Sequence, residues 1–370
     1  MEFINESNNP TNNLTNNLTN NEPNSYNKDY NNKGLSGLGN LGNTCFMNSC
    51  MQVLSHTYEL NDFLNQETYK KKLKNKCESA LLIEWDGLRK LLWSENCIVA
   101  PNKFLKTIQK VAELKKMELF TGYSQNDMPE YLLFLIDCFH TALSREIKMT
   151  ISGNIENDTD KIAVQCFEMV KNMYSKEYSE IWNLFYAVHV SEIVDLETNK
   201  QVKITPEPFF IINLPIPSNN KSPTLIDCFN HYVEGEVLDG ENAWFWEEEN
   251  KKINIRKKIQ FWSFPTILVI DLKRFNSRNQ KNQILVSFPI DELNLTNYVI
   301  GYKKDSYKYE LYGVCNHSGG PMGGHYTAYV KNANGKWYHF NDTNVSEVSI
   351  VESIISPKAY CLFYRKKQNI

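Results

Sequence analysis

The chain has 370 residues, 42% of them hydrophobic and 12% aromatic, enough to bury a sizeable globular core. A net charge of −3 gives no electrostatic reason to bind nucleic acid, and no apolar run is long enough to span a bilayer. Nine cysteines, with no C-x-x-C pair among them, sit beside apolar neighbours, as reduced intracellular cysteines do.

Asparagine dominates residues 1–33, and Asn-Asn-Leu-Thr occurs twice in succession from Asn12. Too few apolar groups are present to offset chain entropy, so this stretch reads as a disordered tail. Its deletion is expected to leave activity and thermal midpoint nearly unchanged. Met1 to Glu6 contains no basic stretch and no apolar core, so secretion is not expected, nor is glycosylation at Asn13 or Asn17.

The next stretch, Gly37-Leu38-Gly39-Asn40-Leu41-Gly42-Asn43-Thr44-Cys45-Phe46-Met47-Asn48-Ser49, organises the chain. Phe46, Cys50, Val53 and Leu54 then recur at helical spacing. The pattern predicts a glycine-permitted turn that delivers Cys45 to the first turn of a buried helix. Unpaired backbone N–H groups there favour a thiolate, the nucleophilic form of cysteine.

Helical periodicity continues to about Arg145, through Leu81, Leu82, Trp85, Leu88 and Leu92, and from Pro101 through Phe104, Leu105 and Ile108. Gly122 to Leu133 reads as a loop feeding a helix, with Asp127 as N-cap and Glu130 three residues on. Ile181 to Val190 and Glu207 to Pro215 read as strands, and Phe264 to Phe275 as a strand buried on both faces. Strands near Tyr307 to Val314 and Tyr360 to Tyr364 extend a mostly antiparallel sheet.

Seven histidines are available as a base for Cys45, and one follows a glycine approach: Gly319-Gly320-Pro321-Met322-Gly323-Gly324-His325-Tyr326-Thr327-Ala328-Tyr329-Val330. A turn at Asn332 to Gly335 returns the chain through Trp337 to Phe340. Pairing Val330 near Trp337 brings His325 opposite Asp342, beside Asn341. Either polar group could fix the imidazole, and one bulge would change which of them faces it. His317, His339 and Cys50 are read as packing residues.

The Cys45 and His325 stretches together resemble the cysteine and histidine boxes of the ubiquitin-specific proteases. Gly-Asn-Thr-Cys-Phe-Met-Asn-Ser and Gly-Gly-His-Tyr-Thr-Ala-Tyr match in wording and order, and the likeness runs from about Gly34 to about Arg365. It implies an α+β, papain-like thiol hydrolase spanning 34–366, with a helical thumb at about 34–145 and antiparallel fingers and palm at about 150–366. The implied partner is ubiquitin or ubiquitinated proteins, with no nucleic acid and no membrane. The resemblance implies an intracellular, cytoplasmic or nuclear setting and a monomer. The implied chemistry is hydrolysis after the ubiquitin C-terminal glycine through a Cys45 thioester. His325 acts as base or as imidazolium partner, Asn341 and Asp342 support it, and Asn40 with the Cys45 N–H holds the oxyanion. Gln125 and Asp127 are implied as contacts to the substrate tail, and Gly323, Gly324 and Tyr326 as walls of a channel for its Gly-Gly end. Asn126 departs from the family's second glutamine, and Pro129 is unusual. A capping box explains Asp127 and Glu130 as well. A non-catalytic ubiquitin-binding scaffold, a Cys-His acyltransferase and a protease for another ubiquitin-like modifier are the alternatives.

Many family members hold the fingers with zinc in two C-x-x-C pairs. Here those positions fall near Val194 to Glu197 and Trp244 to Glu248, which contain no cysteine. No structural zinc and no cofactor are therefore expected, and Val194, Phe245 and Trp246 are expected to fasten the fingers by apolar packing.

Overall fold

The computed structural model describes the backbone of Glu2–Asn5, and residues 30–320 and 323–368. The expected disorder of the tail and the two Asn-Leu-Thr sites fall largely on residues 6–29, outside the described residues. Glu2–Asn5 is a strand, β1, and the glycine approach contains a short strand, β2 (Gly37–Leu38). The thumb follows: α1 (Cys45–Ser55), α2 (Tyr58–Asn65), α3 (Cys77–Ser94), β3 (Ile98–Val99), α4 (Asn102–Leu114) and α5 (Met128–Leu143). All eleven residues of α1 are buried, so its apolar spacing is satisfied on every side and not along one stripe.

Beyond the thumb come β4 (Met149–Ser152), α6 (Asp158–Glu177) and α7 (Glu180–Phe185). The strand expected from Ile181 is therefore helical in its first half. Ser179 caps it by accepting the Trp182 N–H, which a periodicity search over apolar residues does not register. The fingers contain β5 (Ala187–Asp195) and β6 (Gln201–Phe209), followed by the palm edge β7 (Ile211–Pro215) and α8 (Leu225–Val233). Then come β8 (Glu236–Leu238), β9 (Trp244–Trp246), β10 (Lys251–Ile253) and β11 (Ile255–Phe261). The finger sheet has the order β6-β5-β11-β8, and β9 and β10 form a separate hairpin.

The palm is built from β12 (Ile267–Lys273), β13 (Leu293–Asn294), β14 (Lys308–Gly320), β15 (Gly323–Lys331), β16 (Trp337–Asn341), β17 (Asn344–Glu347) and β18 (Ala359–Lys366). Its order is β17-β16-β15-β14-β18-β12-β7, with β13 on β14, and β7 alone runs parallel to its neighbour β12. The α1 helix lies against β14, β15 and β16 over one apolar core that includes Cys50, Val53, Cys315, Ala328 and Phe340. Arg365 of β18 bonds Glu59 at 2.5 Å and the His56 carbonyl at 2.9 Å, and it lies over the rings of Tyr58 and Tyr312. Thumb and palm are thereby fixed against each other, and the site lies on their seam.

The tail boundary near residue 33 is corrected at both ends. β1 pairs antiparallel with β4, which pairs with no other strand among the described residues; a free edge accepts backbone partners with little regard to sequence. Tyr30 is buried, stacks on Tyr58 at 4.7 Å, meets Trp93 edge-on at 5.0 Å and donates its hydroxyl to Asp62 at 2.7 Å. Deleting residues 1–33 is now expected to cost on the order of 2–4 kcal/mol, mostly recovered when the chain starts at Tyr30. Denaturant midpoints of the two truncations check this, and equal midpoints would refute it.

The fingertip also departs from expectation. Phe245 is 47% exposed, so it does not act as an apolar fastener. Val194 is half-buried within the ladder opposite Arg256, and Trp246 lies beneath the Lys251 ammonium at 5.4 Å. The adjoining turn is tied by hydrogen bonds: Asp195 accepts from the Glu197 N–H and the Thr198 hydroxyl, and the Leu196 N–H donates to the Asn254 carbonyl. Among the described residues no cluster of three His, Cys, Asp or Glu could hold a metal ion. A chelator is expected to leave the melting temperature unchanged, with zinc well below one atom per chain; stoichiometric zinc lost together with stability would overturn this.

Candidate active site

Cys45 opens α1 and is only 2% exposed. Just before it, positive φ belongs to Gly42 and Asn43 and not to Asn40, which leaves the Asn40 side chain to be explained by its bonds. Its Oδ1 accepts from the Gly42 N–H (3.1 Å), the Thr44 N–H (3.2 Å) and the Thr44 hydroxyl (3.3 Å). Those three donors fix the amide orientation, so Nδ2 points outward, and one of its two hydrogens goes to Asp342 Oδ2 at 3.0 Å. The second hydrogen is available for a developing oxyanion. Gly37 lets this approach strand touch the far hairpin: a Cβ there would lie 2.3 Å from the Thr343 carbonyl oxygen.

The hairpin places Asn341 beside the histidine ring. Val330 pairs with Tyr338 and Lys331 with Trp337, one residue off the sequence register. His325 Nε2 lies 2.7 Å from Asn341 Oδ1. The amide oxygen can only accept, so Nε2 carries the proton and Nδ1 holds the lone pair of the neutral ring. Asp342 adopts φ +50°, which turns it from the strand; its carboxylate accepts from Asn40 Nδ2 and, at 2.7 Å, from Asn48 Nδ2. Of the two groups the sequence left open, Asn341 is the one bonded to His325, and the inferred register of Val330 with Trp337 is off by one. Asn48, one helical turn after Cys45, carries no separate sequence signal, because the same helix also buries Ser49, Gln52 and Ser55.

Burial first, and then the Asp342 carboxylate, push the Cys45 thiol above the ordinary cysteine value, against N–H groups of Tyr326, Phe46 and Cys45 itself that favour the thiolate. The helix start alone does not ionise this cysteine. A thiol held above its ordinary value calls for a base that removes the proton during attack.

Beside the histidine, a cleft of about 210 Å³ is lined by Gln125, Asp127, Phe275, Gly323, Tyr326 and Tyr360, among others. Asp127 occupies the N-cap position of α5 but makes no capping bond; it accepts the hydroxyls of Tyr326 (3.1 Å) and Tyr360 (2.9 Å). The expected capping box is thus absent, and one carboxylate oxygen, Oδ1, takes both hydroxyls from the palm. Burial pushes that carboxyl up from its ordinary value. Gln125 bridges to Gly324 twice, accepting its N–H at 2.7 Å and donating to its carbonyl at 2.8 Å. Tyr326 is buried and backs the cleft. Tyr360, an aromatic in a plain β pattern, carried no sequence signal.

A buried cysteine at a helix start, packed on a sheet whose neighbouring strand carries a histidine bonded to an amide, defines the papain-like class. A family model described as Ubiquitin carboxyl-terminal hydrolase matches residues 36–364. Ubiquitin carboxyl-terminal hydrolase 2 of Homo sapiens is 35% identical over 346 residues, covering 90% of this chain and 55% of the relative. The protein of the same name from Gallus gallus is 36% identical over 341 residues, covering 90% and 93%. A chain of the SAGA DUB module Ubp8/Sgf11/Sus1/Sgf73 bound to monoubiquitin superposes with a TM-score of 0.70 at 26% identity, covering 91% of this chain and 70% of that one. This chain belongs to the ubiquitin carboxyl-terminal hydrolases, within the ubiquitin-specific protease family. It spans about half the length of the human and bovine relatives. Among the described residues no helix is long and apolar enough to cross a membrane.

Proposed function

We propose that this protein hydrolyses the bond after the C-terminal glycine of ubiquitin through a thioester on Cys45. The observation that carries the reading is the His325–Asn341 bond, which leaves Nδ1 as the proton acceptor. Nδ1 takes the Cys45 proton as sulfur attacks the glycine carbonyl. The Cys45 N–H and the free Asn40 Nδ2 hydrogen receive the oxyanion. The imidazolium returns its proton to the departing amine, leaving the thioester. Water then attacks, His325 takes its proton, and the sulfur leaves as the free carboxylate forms. Gly323 and Gly324 present no side chains to a Gly-Gly end, and Gln125 and Asp127 line its route. Ubiquitin as partner, a monomeric state and an intracellular setting belong to the same proposal.

Ubiquitin carrying a C-terminal fluorophore amide tests it: release of the fluorophore at a rate that saturates with substrate is expected. Binding of ubiquitin without release would refute hydrolysis and leave a scaffold. Release only from another ubiquitin-like modifier would refute the substrate, and transfer to an added amine in preference to water would refute the acceptor.

A further inference from the structure

Lys281 is a half-buried cation that no carboxylate among the described residues neutralises. Among the described residues it forms no ion pair, and its Nζ donates to His317 at two points, Nδ1 at 3.0 Å and the carbonyl oxygen at 2.6 Å. Burial and the neighbouring Arg274 draw the Lys281 ammonium down to about 8, a desolvation cost that a surface lysine avoids. His317 is buried, and burial followed by Lys281 holds it near 4, so its ring is neutral at working pH. An ammonium only donates, which assigns the lone pair of His317 to Nδ1 and its proton to Nε2.

The other edge of the His317 ring faces the channel wall. A Cβ placed on Gly324 would lie 2.2 Å from His317 Nε2, so the ring abuts the backbone there. It is also confined by Tyr326 at 4.6 Å, Tyr360 at 5.6 Å and Phe275 at 5.8 Å. Gly324 is itself held by the two Gln125 bonds, and His325 is the next residue. Lys281 reaches this stack from the turn after β12, where it pairs with Phe275 across a bridge.

We propose that Lys281 is a positioning residue: through the His317 ring it sets the height of Gly324, and so the width of the glycine channel and the seat of His325. Resting on the hydrolase reading, this adds to it a group that touches neither substrate nor nucleophile. A displacement of about 1 Å at a reacting group costs roughly a hundred-fold, so a support that limits smaller shifts shows in kcat.

The test compares Lys281→Met, which keeps the length and removes the donors, with Lys281→Arg, which keeps donors, on the fluorophore amide of ubiquitin. Expected are a fall in kcat of about tenfold for K281M at a KM within twofold, and recovery of at least half the rate in K281R. Nitrogen NMR of ¹⁵N-histidine-labelled protein reads the His317 tautomer without turnover. The proton is expected on Nε2 in the wild type and in K281R, and on a mixture of Nδ1 and Nε2 in K281M. Wild-type hydrolysis, measured first, stands or falls with the hydrolase reading, whereas the tautomer tests the support alone. The proposal is overturned by wild-type protein protonated at Nδ1, by K281M turning over within twofold of wild type, or by K281R impaired as much as K281M.

Discussion

Cys45→Ala is expected to remove hydrolysis of ubiquitin amides by at least about 10⁴-fold while ubiquitin binding and the melting temperature stay near wild type. Loss of the nucleophile from a triad that acts as a unit typically costs about 10⁶ in kcat. The folded state gives up one sulfur at the seam and no ion pair. A ubiquitin probe ending in an electrophile is expected to label Cys45 alone. Cys50, Cys138, Cys166, Cys228, Cys315 and Cys361 are all buried, with thiols that burial pushes up, to about 12 for Cys138, Cys166 and Cys315 and about 11 for Cys228. Cys97 is exposed, so small alkylating agents reach it. A ubiquitin-borne electrophile is aimed by the cleft at Cys45 and should not. The experiment is a mass measurement of the adduct with peptide mapping. Modification of Cys97, or turnover surviving in Cys45→Ala, would sink the assignment.

The Cys45 position was legible because three constraints coincide in one short stretch: a turn rich in glycine and asparagine, a helix start and an apolar helix behind it. His325 was legible for a similar reason, since glycines precede a strand that its β-branched and aromatic residues specify. What escaped the sequence depends on small backbone displacements. A one-residue change of register and the positive φ of Asp342 moved one polar group to the histidine and the other to Asn40 and Asn48. No periodicity carries that information, because a side chain one or two residues past a ladder's end is aimed by local torsions. Tyr30 escaped for a different reason. It is a single aromatic at the end of a polar tract, and its burial depends on Tyr58 and Trp93, distant in sequence. Phe245 shows the reverse error: an aromatic cluster suggests burial, yet a separate two-stranded hairpin has too little protein to cover it.

The division of labour between the two neighbouring polar residues leads to opposite signatures. Asn341→Ala removes the acceptor of the His325 Nε2 proton, freeing the ring to rotate and to exchange tautomers. Removing the group that fixes the tautomer in a related triad costs about 10⁴ in kcat. An amide holds the proton less firmly than a carboxylate, so a fall of about 10²- to 10⁴-fold is expected, with KM nearly unchanged. Asp342→Asn leaves that bond intact and weakens the anchor of Asn40 and Asn48. Losing an oxyanion donor outright costs about 10²- to 10³-fold, and a donor left in place but loosely aimed should cost less, about ten- to a hundred-fold. The thiol responds with a definite sign. Asp342 is a negative charge that raises the Cys45 value, so its removal makes the thiolate easier to form. The pH midpoint for alkylation of Cys45 is therefore expected to move to lower pH in Asp342→Asn and to stay in place in Asn341→Ala. At a fixed pH below that midpoint, Asp342→Asn should react faster with a small electrophile even as it turns over ubiquitin more slowly. A larger loss of kcat in Asp342→Asn than in Asn341→Ala, or a midpoint that rises in Asp342→Asn, would show that Asp342 and not Asn341 serves the histidine.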